Sequence, residues 1–166
     1  MKIQKILPKS GTVVYHMNDG EAVLNSWKFF LEGLAALNEQ SKARMGYTPD
    51  QFFHLVSWAA ALNWELGEGG LLWLTKPEMP EFGFVITYSV NEPFSEDRGL
   101  FVHSIYTRGD FGKTVIELME FGLEYAERFS YKYVETANAR LSGAAKRLFH
   151  NKLGFSPKYV IFRKDI

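Results

Sequence analysis

Tyr106-Thr107-Arg108-Gly109-Asp110-Phe111-Gly112-Lys113-Thr114 is the stretch that decides the fold. Before it, Leu100 to Tyr106 is an apolar run of strand length. After it, Lys113 to Phe129 sets Val115, Leu118, Met119, Leu123 and Ala126 along one side of a helix. The chain therefore passes from strand to helix within a few residues. Gly109 and Gly112 permit a tight turn and a close approach of backbone to a ligand. The first turn of such a helix exposes unpaired N–H groups and the positive end of its dipole. These features suit a phosphate or pyrophosphate, and Arg108 and Lys113 add positive charge. Glycine-bearing strand-to-helix turns also occur without any ligand, and Arg108 reads equally well as a solvated cation.

Working back from this stretch, Leu71 to Thr75 and Phe82 to Val90 are two more apolar runs, with a turn at Pro77-Glu78-Met79-Pro80 and a polar loop from Asn91 to Gly99. Phe82 to Val90 is apolar on both faces and belongs in the middle of a sheet. Three strands with short connections imply an antiparallel meander. Further back, Thr48-Pro49-Asp50-Gln51 is a helix start with Thr48 as N-cap, and that helix is expected to run to about Trp64. Apolar residues at helical spacing from Ala22 to Asn38 predict a helix there, begun by a turn or N-cap at Asp19, and Asn38 to Tyr47 reads as a basic loop. Ile3, Ile6, Leu7 and Thr12 to Tyr15 predict one or two short strands. Working forward, Lys132 to Ala137 is a strand, Ser142 to Lys152 a helix and Lys158 to Arg163 the last strand.

The order is strand, helix, helix, three strands, helix, strand, helix, strand. The unit from Leu100 to Ala137 is expected to be a right-handed parallel crossover. The fold class is α/β, a mixed sheet with helices on both faces, in a single domain over residues 1–166. The chain has no cysteine, which excludes disulfides, thiolate metal sites and cysteine nucleophiles. The 19 basic residues balance the 19 acidic ones, so a dedicated nucleic-acid binder is disfavoured. The apolar stretch Phe52 to Trp64 is broken by His54, Ser57 and Asn63 and is too short to span a bilayer. The N-terminus lacks a signal-peptide pattern. A cytoplasmic location is expected, without membrane or nucleic-acid partners. His16 and His54 have no ligand spacing with any neighbour, so no metal is expected.

The runs Tyr133-Val-Glu-Thr-Ala-Asn138, Ala144-Ala-Lys-Arg-Leu-Phe-His150 and Lys152-Leu-Gly-Phe155 resemble the C-terminal half of the GNAT family of N-acetyltransferases. The layout of the whole chain is similar to a GNAT-like sheet, and the residue pattern matches from about Tyr106 to Phe155. The resemblance implies acetyl-CoA as cosubstrate, bound where the third strand of the meander and the strand after the long helix splay apart. Its pyrophosphate would lie on the turn of Arg108, Gly109, Phe111, Gly112, Lys113 and Thr114, with Asn138 nearby. An amine acceptor would attack the thioester directly, helped by a base, by an acid for the leaving thiolate, and by a strand N–H that polarises the carbonyl.

The family's motifs map onto this chain with open alternatives. Aligned on Gly112, Thr107 takes the first position of the phosphate loop and Asp110 the place of a glycine; alternatively, Arg108-Gly109 matches the family's Arg-Gly pair in a shortened loop. The family's thiolate-protonating tyrosine falls on His150 when counted from Gly154, and on Phe149 when counted from Ala145. His150 serves as acid or is a plain surface histidine. The base is His103, Glu135 or Asn138, with a structural strand histidine as the alternative for His103. The acceptor is expected between the two N-terminal helices, near the loop Gln40 to Tyr47, whose Lys42 and Arg44, with no acid, do not favour a polycation. The chain stops soon after the last strand, which leaves that side open or completed by a second subunit, so a homodimer is an expectation. A catalytically degenerate GNAT-like binding or structural protein is the competing reading.

Overall fold

The computed structural model describes residues 1–41, 46–92, 95–109, 111–136 and 147–156. Asp110, Asn138, Lys42, Arg44, the start of the helix from Ser142 and the strand Lys158 to Arg163 lie outside the described residues.

Among the described residues six strands form one sheet in chain order: β1 (Lys2–Leu7), β2 (Thr12–His16), β3 (Gly69–Lys76), β4 (Met79–Asn91), β5 (Arg98–Thr107) and β6 (Tyr133–Thr136). The first five pair antiparallel, and β5 pairs parallel with β6 through the crossover helix α4 (Phe111–Arg128). The sheet is therefore mixed, as the residue patterns predict, with β4 in its interior.

Between β2 and β3 lie α1 (Gly20–Asn25), α2 (Trp27–Ser41) and α3 (Pro49–Ala61), then a 3-10 turn at Trp64–Leu66. Asp19 caps α1 by accepting from the Glu21 N–H. The expected single helix from Ala22 is in fact two, α1 and α2, meeting at Ser26, whose N–H still donates to the Ala22 carbonyl. Apolar spacing from Val23 through Trp27 to Phe30 runs across that break, so periodicity alone hides it. α2 also extends through Ser41, past the predicted loop start at Asn38. Thr48 and Gln51 form a reciprocal capping box at the start of α3, a device that contributes about 1 kcal/mol. The helix ends at Ala61 rather than Trp64, and Gly67 in the left-handed region closes the 3-10 turn that follows.

The sheet divides two cores. Leu72, Leu74, Val85, Leu100 and Val102 face α4, with Val115, Leu118 and Met119 opposite. Leu71, Trp73, Phe84 and Ile86 face the other way, against Phe29, Phe30, Phe52 and Val56 of α2 and α3. Helices thus cover both faces, and the period-2 alternation along β3 and β4 assigns each residue to its side. Leu148, Leu153 and Phe155 pack on the α4 side. Gly33 lets α2 lie close on the sheet: a Cβ there would sit 2.6 Å from Phe84 Cζ and 3.0 Å from Tyr106 Cδ1. On the α4 side, the buried Glu117 carboxylate accepts the backbone N–H groups of Lys9 and Ser10 at 2.7 and 2.8 Å, fixing the β1–β2 turn. Among the described residues no helix is long and apolar enough to cross a membrane.

Candidate active site

β5 carries one residue more than β4 opposite it. Thr87 pairs with Val102 and Ile86 pairs with Ser104, so His103 is the extra residue of a β-bulge. The bulge resets which side chains face which core. Val102 faces α4, yet so does Ile105, three residues on, while Tyr106 faces α2. His103 and Ser104 consequently share the α1–α3 face, where His103 Nδ1 and Ser104 Oγ are hydrogen-bonded at 2.7 Å although the residues are adjacent.

The other ring nitrogen, His103 Nε2, is hydrogen-bonded to Tyr47 Oη at 2.9 Å. Tyr47 precedes α3 and is fixed there by Asn38, which accepts from the Tyr47 N–H and donates to its carbonyl. Burial holds the His103 imidazole below its usual value of 6.5, so it is neutral at pH 7 and able to accept a proton.

Among the described residues β6 pairs with β5 over Gly99–Val102. The bulged histidine is the next residue of β5 after that stretch. Glu135 is in register with Phe101, and because Val134 packs on the α4 side, Glu135 looks toward α1–α3. It shares that face with His103, and its charge helps burial raise the Tyr88 phenol.

β5 then turns into α4. Gly109 takes φ +71°, the left-handed region that the turn needs. Gly112 is exposed, and among the described residues a Cβ on it would meet nothing within 4 Å, which leaves clear space beside its Cα. Lys113 is exposed beside it. The Thr114 side chain is completely buried, its Oγ1 without a described partner, so any contribution to a ligand comes from its N–H.

The Arg108 guanidinium takes no part in this clear space. Its Nε donates to Glu32 Oε1 at 2.8 Å, its Nη2 pairs with Glu32 Oε2, and the group lies 4.5 Å from the Phe29 ring centroid. Tyr106 also donates to Glu32 at 2.5 Å. The Arg108 bond, then that of Tyr106, holds the Glu32 carboxyl at about 2. Glu32 was not singled out from the sequence, and it fixes the Arg108 side chain on α2 rather than over the turn.

His150 lies in a π-type turn, Arg147–Lys152, on the α4 side. Its ring is exposed and its Nδ1–H donates to the Phe155 carbonyl at 3.0 Å. With Nδ1 protonated, Nε2 donates only as imidazolium. The structure thus brings His103 and Glu135 to one face of the sheet, and places His150 on an element packed against the other face. Tyr47 and Ser104 are the site residues that the sequence reading missed. The spacing of three between the inward residues Val102 and Ile105 is the signal that marks the bulge. Among the described residues no group of three His, Asp or Glu side chains is placed to hold a metal.

Neither a family model nor a curated relative matches the sequence. Solved structures do match. A ribosomal-protein-alanine N-acetyltransferase from Brucella melitensis is 18% identical, with a TM-score of 0.57 over 93% of this chain and 98% of its own. An aminoglycoside acetyltransferase from an uncultured soil metagenomic sample, in complex with sisomicin, is 12% identical, with a TM-score of 0.61 over 95% and 98%. The chain has the GNAT fold. A transcriptional regulator from Bacillus halodurans is 13% identical, with a TM-score of 0.65 over 93% and 99%. The GNAT fold of this chain thus has neighbours whose names state different activities, and chemistry must be argued from the site.

Proposed function

We propose that this chain is an N-acetyltransferase that moves an acetyl group from acetyl-CoA to an amine. One observation carries the reading: a neutral, hydrogen-bonded histidine stands on a bulge of β5, the strand that leads into the start of α4 at Phe111 to Thr114. The acetyl-CoA pyrophosphate would rest on the N–H groups of Phe111, Gly112, Lys113 and Thr114, with the Lys113 ammonium as counter-charge. The β5 backbone beyond Val102 would hold the thioester, and a strand N–H there would stabilise the oxyanion.

The acceptor nitrogen forms a bond to the thioester carbonyl carbon, giving a tetrahedral oxyanion. Its collapse breaks the C–S bond, and the electron pair leaves on sulfur. His103, alone or through Tyr47 Oη, takes the proton that the amine sheds. Glu135 would hold the ammonium before it is deprotonated. The sulfur takes a proton from His150 imidazolium or from water. The Glu32 grip on Arg108 leaves that residue to shape the turn through its backbone, where its N–H donates to the Phe82 carbonyl at 2.8 Å.

A binding protein on a degenerate GNAT fold is the second reading. The exposure of His150 and the sequestered Arg108 favour it. Calorimetric titration with acetyl-CoA and with free CoA, followed by a thiol-release assay over a panel of amines, separates the two. Acetyl-CoA binding with amine-dependent thiol release supports transfer. Binding without release on any amine supports the second reading, and no binding at millimolar acetyl-CoA overturns the first.

A further inference from the structure

A row of aromatic rings leads away from His103 across the α1–α3 face. Trp58 on α3 lies 5.0 Å from Tyr88 on β4 between ring centroids, Tyr88 lies 5.2 Å from Phe101 and 6.0 Å from His103, and Tyr47 closes the row at 5.7 Å from His103. Buried cores usually hide such rings. Here Tyr47, Tyr88, Phe101 and His103 are only half-buried, and Trp58 keeps 45% of its surface exposed. The rings offer apolar area together with the negative face of their π-systems, which attracts an organic cation.

Glu135 supplies a formal charge at one end of this row. Its register with Phe101 puts it one strand spacing across and two residues along from His103, roughly 8 Å between backbones. An ammonium group between the two would meet a carboxylate on one side and a proton acceptor on the other. A flat body carried on that ammonium would lie along Phe101, Tyr88 and Trp58. A polycation, by contrast, gains little here, because this surface is aromatic along most of its length.

We propose that the acceptor site takes an arylalkyl monoamine, its ring on Trp58, Tyr88 and Phe101 and its ammonium between Glu135 and the Tyr47–His103 pair. The proposal rests on the acetyl-transfer reading and narrows its acceptor to one chemical class. Phenethylamine is the probe, with butylamine as the ammonium lacking a ring and 3-phenylpropionate as the ring lacking an ammonium.

Calorimetry on the full chain without acetyl-CoA measures the site directly. Phenethylamine is expected to bind at least tenfold more tightly than either control. Trp58→Ala, at an exposed position, and Glu135→Gln should each weaken it tenfold or more, with acetyl-CoA affinity unchanged. Equal binding of 3-phenylpropionate, or wild-type affinity in both variants, overturns the proposal. Thiol release with spermidine or an aminoglycoside but not with phenethylamine also overturns it and leaves acetyl transfer standing. Phenethylamine binding in a chain that ignores acetyl-CoA supports the amine site and overturns the transfer reading instead.

Discussion

Replacing Gly112 separates what the turn does for folding from what it does for a ligand. A Cβ at this position meets nothing within 4 Å, and the residue is exposed at the start of α4. Gly112→Ala should therefore stabilise the helix, by about 0.5–1 kcal/mol for a helical glycine. For a domain of this size that raises Tm by about 2 °C. Gly112→Asp should also fold, since a carboxylate near a helix N-terminus is favourable by about 0.3–1 kcal/mol. Binding should respond in the opposite direction. A carboxylate about 5 Å from a phosphate charge costs about 0.8 kcal/mol in a water-like dielectric and about 3 kcal/mol at an effective dielectric of 20. With two phosphate charges, even the lower figure weakens acetyl-CoA more than tenfold, and the alanine methyl should weaken it by a smaller factor through lost approach. Thermal unfolding and calorimetric titration of both variants supply the two numbers. If Gly112→Asp folds and binds acetyl-CoA like the parent, the pyrophosphate does not lie on this turn and the site is wrongly placed.

His103→Gln should lower kcat/KM by about 10²–10⁴-fold. Because burial lowers the His103 pKa and the base acts when neutral, activity of the parent should rise with pH through that lowered value and level off above it, and this acid limb should vanish in His103→Gln. The same shift means that the folded chain binds fewer protons than the unfolded one below pH 6.5. The histidine's share of stability is therefore complete above 6.5 and declines as pH falls toward the lowered value, which urea unfolding at pH 5.5 and 7.5 can check. His150→Phe should reduce turnover with acetyl-CoA affinity nearly intact if the imidazolium protonates sulfur; a loss below about threefold, well under a general acid's usual share, removes it from the mechanism. Gly33→Ala forces a methyl against Phe84 and Tyr106, an overpacking cost of about 1–3 kcal/mol that helix propensity offsets by up to about 1. A Tm drop of about 3 °C is expected, and a rise would show that α2 is free to shift.

Local rules carried much of the fold. The capping box at Thr48 and Gln51, the apolar runs of β3 and β4 with β4 inside the sheet, and the long amphipathic α4 are each written within a few residues, and each stands as expected. The helix break at Ser26 was hidden because apolar spacing crosses it unbroken. The site was legible only in part for a different reason. His103 and Glu135 could be picked out as candidate bases, but their partners come from far along the chain: Tyr47 lies 56 residues before His103, and Glu32 lies 76 residues before the arginine it engages. A salt bridge across that separation leaves no periodic trace, so Arg108 looked free to meet phosphate.

The bulge in β5 has a consequence for insertion and deletion. Removing His103 from the chain would leave Val102 opposite Thr87 and Ser104 opposite Ile86 in an unbroken alternating ladder, with Ile105 and Tyr106 already on the faces that such a ladder requires. The sheet is complete without this residue. A deletion here, usually ruinous in the middle of a strand because it flips every later side chain, would instead regularise the strand while removing the imidazole. His103 is in that sense a one-residue insertion into a ladder that is regular without it.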